Sequence, residues 1–569
     1  MRPRHERLQI LRNNPDVSVL IIGAGINGIG TFRDLALQGV DVVLVDRGDY
    51  CSGASAASSH MVHGGIRYLE NGEFHLVREA VRERNLLLEK MPHMVKPLPT
   101  TFPIFKLFSG LFNAPLKFLG LLDKPAERGA VVIKIGMLLY DYYTRKQKTV
   151  PKHVFRNRKE SLALFPALDP KVIYTGTYYD GAMHSPERIA IEVLKDAQSE
   201  NERAVSINYV GMVSSHETSV TLRDDVSGEI FELRPKILIN AAGPWIDLVN
   251  ARMGQRTAFI SGTKGSHLVV DHPKLRQAIG ENEFFFENKD GRIVLIFPLL
   301  DKVMIGTSDI LVDDPDDVVI TEDEVRYFFD LVGRVFPHIH LQRDHIVYTF
   351  SGVRPLQHSE RRDTGQISRN HKVQICEPGE LLDIPVFSLV GGKWTSFRAF
   401  SELAADMALE RLGAVRKIST EDLEIGGSKG IPRTAADKET YLAGLAEAYP
   451  VGQEWLVRLF ERYGTKVEAL LEAEGKDAGQ RLATLPDVSV GELRYVLAEE
   501  DVLHLDDLIL RRTMLGVLGR ITPDCLREIA QLCAAVLGWS AQETEGEMRR
   551  FTEILHHNHK MDFNTYIGG

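Results

Sequence analysis

The chain has 569 residues, enough by length alone for roughly three or four domains, and 44% of them are hydrophobic and 26% charged. Its net charge of −10 argues against nucleic acid as a bulk partner, although a local basic cluster can still hold an anionic substrate. Cys51, Cys376, Cys525 and Cys533 lack C-x-x-C spacing, which points to a reducing compartment with no disulfide frame and no zinc or iron–sulfur site.

The basic N-terminus, MRPRHERLQILRNN, lacks the apolar centre of a secretory signal. No window reaches about 18 uninterrupted apolar residues, so no membrane span is expected. No internal repeat or low-complexity tract stands out.

Residues 17–46 read as strand, tight turn, helix and strand. Val17, Val19, Leu20, Ile21 and Ile22 suit a strand buried on both faces. Gly23, Gly25 and Gly28 complete G-x-G-x-x-G, with Ile26 and Asn27 opening the helix. The first glycine permits the turn, the second lets the backbone approach a pyrophosphate, and the third lets helix and strand pack closely. Unpaired N–H groups at the helix N-terminus favour that anion. The second strand ends at Asp46, about 20 residues past the glycines, where a carboxylate can accept the hydroxyls of an adenosine ribose; Arg47 follows it. Strand, glycines, helix, strand and acid fall in register, as a dinucleotide site requires. FAD and NAD both stay open, and the place of the fingerprint near the start of a long chain leans to FAD.

Small and hydroxylated residues crowd 52–59, as a phosphate-lined loop requires, and His63-Gly64-Gly65 follows, where bare backbone admits something flat or bulky. Residues 74–89 read as an exposed helix. Residues 104–122 are apolar apart from Lys106 and Lys117, with Lys134, Arg145, Lys146 and Lys148 soon after. Apolar bulk beside cations suits a monotopic membrane contact over 104–148; a buried helical pair or a subunit interface fits the same residues. Residues 170–215 read as a turn-rich run into a helix, then strand-like pieces. Residues 236–245, KILINAAGPW, form a buried strand whose end, at Ala242 and Gly243, is small enough to lie against a ligand. Alternating strands over 259–309 predict an antiparallel sheet able to roof a ligand, and 322–336 is helical. Residues 387–410 read as a buried strand, a turn at Gly391 and Gly392, and a helix whose N-terminus can stabilise negative charge. Helical periodicity over 433–555, broken at Pro486 and Pro523, predicts a separate C-terminal helical domain.

Together GAGINGIG, HGGIRYLE, NAAGPW, KGSHLVV, GRIVLIFPL, GTSDI, SGVRPL, ISR, GGKWTSFR, LRYVLAEE and DDLILRRTMLG resemble the FAD-dependent, membrane-associated glycerol-3-phosphate dehydrogenases nearly end to end. The resemblance implies an α/β plus α+β chain: an FAD-binding Rossmann-like domain of the glutathione-reductase/D-amino-acid-oxidase type, interleaved with an antiparallel-sheet substrate domain and followed by a helical domain. It places the FAD domain at 1–100, 185–255 and 345–415, the substrate domain at 101–184 and 256–344, and the helical domain at 416–569. It further implies hydride transfer from the C2 carbinol of a polyol phosphate to FAD, with electrons passed to a membrane quinone. The location implied is cytoplasmic, peripheral on the inner face of the cell membrane, and a homodimer is compatible with it.

Under that resemblance Arg67, Arg354 and Arg369 are candidates for the substrate phosphate, because guanidinium forks match phosphate oxygens. Tyr68 is a further substrate contact, and Lys393 reaches substrate and flavin. His267 and His63 are the candidate bases, since imidazole titrates near working pH. Gly23, Gly25, Ile26, Asn27, Gly28, Asp46 and Arg47 would hold the ADP half of FAD. Ser58, Ser59, His63, Gly64, Gly65, Ala242, Gly243, Gly391, Gly392, Lys393, Trp394 and Thr395 would line the pyrophosphate and flavin.

Four places depart from the family pattern: His60 stands where lysine is usual, Ala54 and Ala56 occupy hydroxyl-rich positions before it, HSPER surrounds Arg188 where an acidic pair before Ala-Arg is usual, and 104–122 is longer and more apolar than expected. They leave another polyol phosphate, such as a tetritol phosphate, as an alternative substrate. An amine or amino-acid oxidase of the same fold and a flavin-binding sensor are the remaining readings. The short stretch after SGVRPL favours a dehydrogenase over an oxygen-using oxidase.

Overall fold

The computed structural model describes residues 2–66, 73–107, 129–144, 149–287, 293–358, 370–379, 382–449, 451–475 and 479–562. Most of the apolar run expected at the membrane (108–128) and the basic residues 145–148 lie outside them.

One sheet runs in the order Lys372–Cys376, Val386–Val390, Ile230–Asn240, Asp16–Ile22, Val42–Val45, Ala204–Ile207. All neighbours are parallel except the antiparallel edge strand Lys372–Cys376. The apolar run Val19–Ile22 is buried on both faces, as a central parallel strand demands. Helices Ile26–Leu37, Pro186–Glu200 and Phe397–Leu412 pack beside one another against this sheet. The glycine loop leaves the carboxyl end of the central strand, where such sheets bind their ligands.

The second sheet is largely antiparallel. Its order is Ile310–Leu311, Ile260–Val270, Lys302–Gly306, Ile293–Leu299, Glu283–Glu287, Val95–Ile104, Tyr174–Met183, Met61–Val62. Ile346–Gln357 also pairs with Ile260–Val270. Alternation along Ile260–Val270 gives two faces with different jobs. Lys264 and Ser266 turn to helix Glu322–Val335, where both reach Glu324 at 2.8 Å. Thr263, Gly265 and His267 occupy the other face, which looks onto the 52–59 loop.

Three expectations change. The helix Phe74–Lys90 is not an exposed one: Leu76, Val77, Val81, Glu83 and Arg84 are buried, because its charges find partners inside, Glu83 with Arg398 at 2.8 Å. The turn-rich reading of 170–183 gives way to a ten-residue strand, Tyr174–Met183. Its glycines serve close packing: a Cβ on Gly176 would meet Met137, and one on Gly181 would meet Val62. The sheets also cut the chain at other places than the expected domain limits, since Met61–Val62, Val95–Ile104 and Ile346–Gln357 all pair in the second sheet.

The C-terminal part is helical, with Pro523 opening Pro523–Leu537 and Thr522 capping it by accepting the Cys525 N–H at 3.2 Å. Its core is only partly its own. Trp455, Leu459, Phe460 and Leu470 cluster among themselves. Leu493, Leu508, Ile529 and Phe551 share one core with Leu268, Ile296 and Phe328 of the second sheet and its helix.

Candidate active site between the two sheets

The glycine loop has the shape that its residue types require. Gly23 sits at φ +106°, and a Cβ there would lie 2.6 Å from the Ala241 carbonyl oxygen. A Cβ on Gly28 would collide with the Gly23 carbonyl. Gly25 has ordinary backbone angles, so conformation does not explain it. Among the described residues the only atom within 4 Å of a Cβ there is Ser55 Oγ, at 3.2 Å. That open cradle at the helix N-terminus fits a pyrophosphate. Ser55 Oγ also accepts the Ile26 N–H at 3.0 Å. The hydroxyl-rich composition of 52–59 pointed to this loop, but Ser55 was not singled out within it.

Asp46 ends the second strand half-buried, with its carboxylate accepting from the N–H groups of Ala24 at 2.6 Å and Gly48 at 2.9 Å. Burial pushes its pKa up to about 6. Arg47 lies at the rim, over the Trp245 ring at 4.8 Å and paired with Asp316 at 2.6 Å. At the end of Ile230–Asn240, Ala242 N–H donates to Asn240 Oδ1 at 3.2 Å, and Gly243 has φ +57°.

Four segments that are distant in sequence are tied together here. Trp394 Nε1 donates to the Ser55 carbonyl at 2.9 Å, and the His63 N–H donates to Thr395 Oγ1 at 3.0 Å. Asn27 Nδ2 donates to the Gly391 carbonyl at 3.3 Å, while its Oδ1 is buried without a partner among the described residues. Gly392, at φ +102°, leaves no room for a Cβ beside Asn27. Gly64 N–H donates to Asp180 Oδ1 at 2.8 Å, and Gly65 has φ +73°. Lys393 lies in the field of Glu79 and His371; burial of His371, with the Lys393 charge added, pushes the imidazole down to about 4.

The substrate-side face meets this cluster at Ser59, whose Oγ lies 2.9 Å from His267 Nε2. His267 stacks on Phe350 and is 1% exposed, with Nδ1 unpartnered among the described residues. Burial and the Arg354 charge hold its pKa well below the usual imidazole value, so it is neutral. Arg354 Nη2 donates to Thr307 Oγ1 at 2.7 Å and to the Ser308 carbonyl at 3.2 Å, and Nη1 pairs with Asp309 at 3.2 Å. Gly265 lies directly beneath this guanidinium. Thr263 Oγ1, on the same face and opposite Arg354 in register, is buried without a partner among the described residues; nothing in its sequence context singles it out. Ser58 Oγ accepts the His60 N–H at 3.3 Å. Arg67, Tyr68 and Arg369 lie outside the described residues.

The FAD-dependent oxidoreductase family model matches residues 18–381, and the model of the C-terminal domain of alpha-glycerophosphate oxidase matches 418–544. The glycerol-3-phosphate dehydrogenase of Synechocystis sp. is 31% identical, over 96% of this chain and 99% of its own. Glycerol-3-phosphate dehydrogenase 2 of Mycobacterium tuberculosis is 30% identical over 94% of this chain and 87% of its own.

The chain belongs to the FAD-dependent glycerol-3-phosphate dehydrogenase family.

The solved glycerol-3-phosphate dehydrogenase from Bacillus halodurans, complexed with FAD, shares the fold of this family member at a TM-score of 0.74 and 22% identity, covering 98% of this chain and 97% of its own. FAD is the cofactor, and the glycine loop, the open cradle at Gly25 and the orphaned Asn27 Oδ1 fit it.

The departures at His60 and Arg188 acquire structural reasons. His60 takes a left-handed backbone (φ 54°), and its Nδ1–H donates to the His184 carbonyl at 3.0 Å. Its ring is buried near Phe297 and Phe350, and burial pushes its pKa down to about 4. Arg188 lies between Glu192 at 2.6 Å and Glu500 at 2.5 Å, in an ion cluster with the C-terminal helices.

Proposed function

We propose that this family member oxidises the C2 hydroxyl of sn-glycerol 3-phosphate to dihydroxyacetone phosphate and passes the electrons through FAD to a membrane quinone. The observation that carries the reading is the Ser59–His267 contact, which brings a neutral imidazole, itself in the field of the Arg354 guanidinium, against the 52–59 loop. FAD, when bound, accepts the hydride from C2. The chain supplies the rest. Gly23, Gly25, Gly28 and the N-terminus of Ile26–Leu37 receive the pyrophosphate, Asp46 the adenosine ribose, and the tied loops at His63–Gly65 and Gly391–Thr395 the flavin. Arg354, oriented by Thr307 and Asp309, holds the phosphate dianion. His267 takes the C2 hydroxyl proton; burial, helped by the nearby Arg354 cation, keeps it unprotonated beforehand. Lys393 offsets negative charge developing at the flavin or the alkoxide.

Contact with lipid is supported by helix Ala130–Thr144. It buries Met137 and Tyr140 yet exposes Ile135 (51%), Leu138 (53%), Leu139 (42%) and Tyr142 (55%) along one stripe. Phe105 and Leu107, within the expected membrane segment, are exposed as well, and Lys134 is exposed on the same helix. No described helix is long and apolar enough to cross a membrane, so the contact proposed is peripheral, on the inner face of the cell membrane.

The test is anaerobic bleaching of the bound flavin. Fast bleaching by glycerol 3-phosphate, and much slower bleaching by erythritol phosphate, is the expected result. Bleaching by the longer polyol phosphate alone would move the substrate, and no bleaching by either would withdraw the reaction.

A further inference from the structure

The C-terminal motifs LRYVLAEE and DDLILRRTMLG take no part in that reaction, yet they reach the nucleotide end of the site. Asp507–Arg512 forms a single π-helical turn, a wide turn that recurs at functional sites. From it two consecutive arginines reach one carboxylate. Arg512 grips Asp49 through both Nη atoms at 2.7 and 2.8 Å, and Arg511 Nε donates to the same carboxylate at 2.5 Å. Asn208 Nδ2 adds a fourth donor at 3.0 Å. The side chains of Asp49 and Arg512 are both 0% exposed. A carboxylate buried so completely is tolerable only while those donors are present.

Asp49 follows Asp46 in one tight turn. Gly48 N–H donates to Asp46 Oδ1 at 2.9 Å, Tyr209 N–H to the Gly48 carbonyl at 2.9 Å, and Cys51 N–H to the Ala24 carbonyl of the glycine loop at 2.9 Å. The next residue, Tyr50, donates its hydroxyl to Asp501 at 3.1 Å. The turn that presents the ribose carboxylate is thus closed from outside by the C-terminal domain.

We propose that Arg511 and Arg512 are positioning residues for the cofactor: docked on Asp49, they hold the 46–51 turn in the shape that binds the ADP half of FAD. The proposal rests on the reading of Asp46 as the ribose ligand. By reciprocity, a ligand of the ADP half must tighten the docking of the C-terminal domain.

Apoprotein carrying Arg512→Lys or Arg511→Lys is titrated with FAD and, separately, with ADP. Lysine keeps the charge and loses the fork. Both dissociation constants should rise by a common factor, about 10-fold or more for Arg512→Lys. Unchanged constants in a variant whose apoprotein melts lower would overturn the clamp and leave a structural ion pair. Should the variants not fold, amide exchange in the wild-type apoprotein decides: ADP should slow exchange across 505–513, and no slowing overturns the proposal. Asp46→Ala is the companion variant. If it leaves FAD and ADP affinity unchanged, the ribose reading itself falls; if it weakens both while the arginine variants do not, the clamp alone falls.

Discussion

The imidazole of His267 lies flat on the ring of Phe350, with centroids 4.6 Å apart and planes 10° apart. The two residues face each other across paired strands, and Ser59 holds the imidazole edge from the cofactor side. One aromatic face and one hydroxyl therefore set the plane of the proposed base.

His267→Asn should keep FAD bound and lower kcat by about 10²- to 10⁴-fold, the usual worth of a general base. Phe350→Leu keeps most of the apolar volume and removes the stacking plane, so a smaller loss of kcat with little change in KM is expected. Stopped-flow flavin reduction measures both. Wild-type reduction rates in His267→Asn would remove it from the mechanism.

Arg354→Lys should lower kcat/KM by about 10- to 100-fold, since charge-assisted hydrogen bonds contribute about 1.5–3 kcal/mol. The loss should be small for a substrate analogue without phosphate. An equal loss for both substrates would place Arg354 away from the phosphate.

Glu283 provides a pH signature. It is fully buried beside Thr100 Oγ1 at 2.9 Å, and burial pushes its pKa up to about 8. Its folded form prefers the proton, so its contribution to stability is complete below the unfolded value near 4.5 and is lost as pH rises toward 8. Glu283→Gln does not titrate, so its stability relative to wild type should rise by about 3–4 kcal/mol between pH 5 and pH 8. Urea unfolding at the two pH values checks it, and a pH-independent difference between the two proteins would refute the buried-acid account.

Replacing Ile135, Leu138 and Leu139 together with serine removes three exposed apolar side chains, each contributing about 1.5–3 kcal/mol when buried. Liposome binding should fall by at least about 100-fold, while reduction of a soluble dye continues. Unchanged co-sedimentation with liposomes would sink the lipid reading. A change from dimer to monomer in the variant would make the stripe a subunit interface instead.

The readable parts of the site were those made by neighbours in sequence. The glycine loop, the strands that flank it and Asp46 lie within 16–46, so spacing alone carried them. His63-Gly64-Gly65 and Gly391-Gly392 announced themselves as bare backbone. Ser55, Thr263, Asp180 and Asp49 gave no comparable sign, because a serine, threonine or aspartate has a role only when its partner is known. For Asp49 that partner stands at Arg512, and for Asp180 it is a backbone N–H at Gly64. The helix Phe74–Lys90 reads as exposed for the same reason: Glu83 and Arg84 look like solvent-facing charges until Arg398 and Tyr140 are placed beside them.

By itself the sequence determined the nucleotide fold, the family and the identity of the chemical groups, because those follow from local periodicity, from glycines whose Cβ would collide, and from motifs that span the chain. Only the tertiary structure decided which of two histidines stacks between Phe350 and Ser59, that Arg188 and His60 serve packing and ion pairs, and that the C-terminal helices close on the 46–51 turn. Those outcomes depend on the burial of polar groups, and a buried charge or imidazole takes its meaning from the donors and acceptors that the whole fold brings to it.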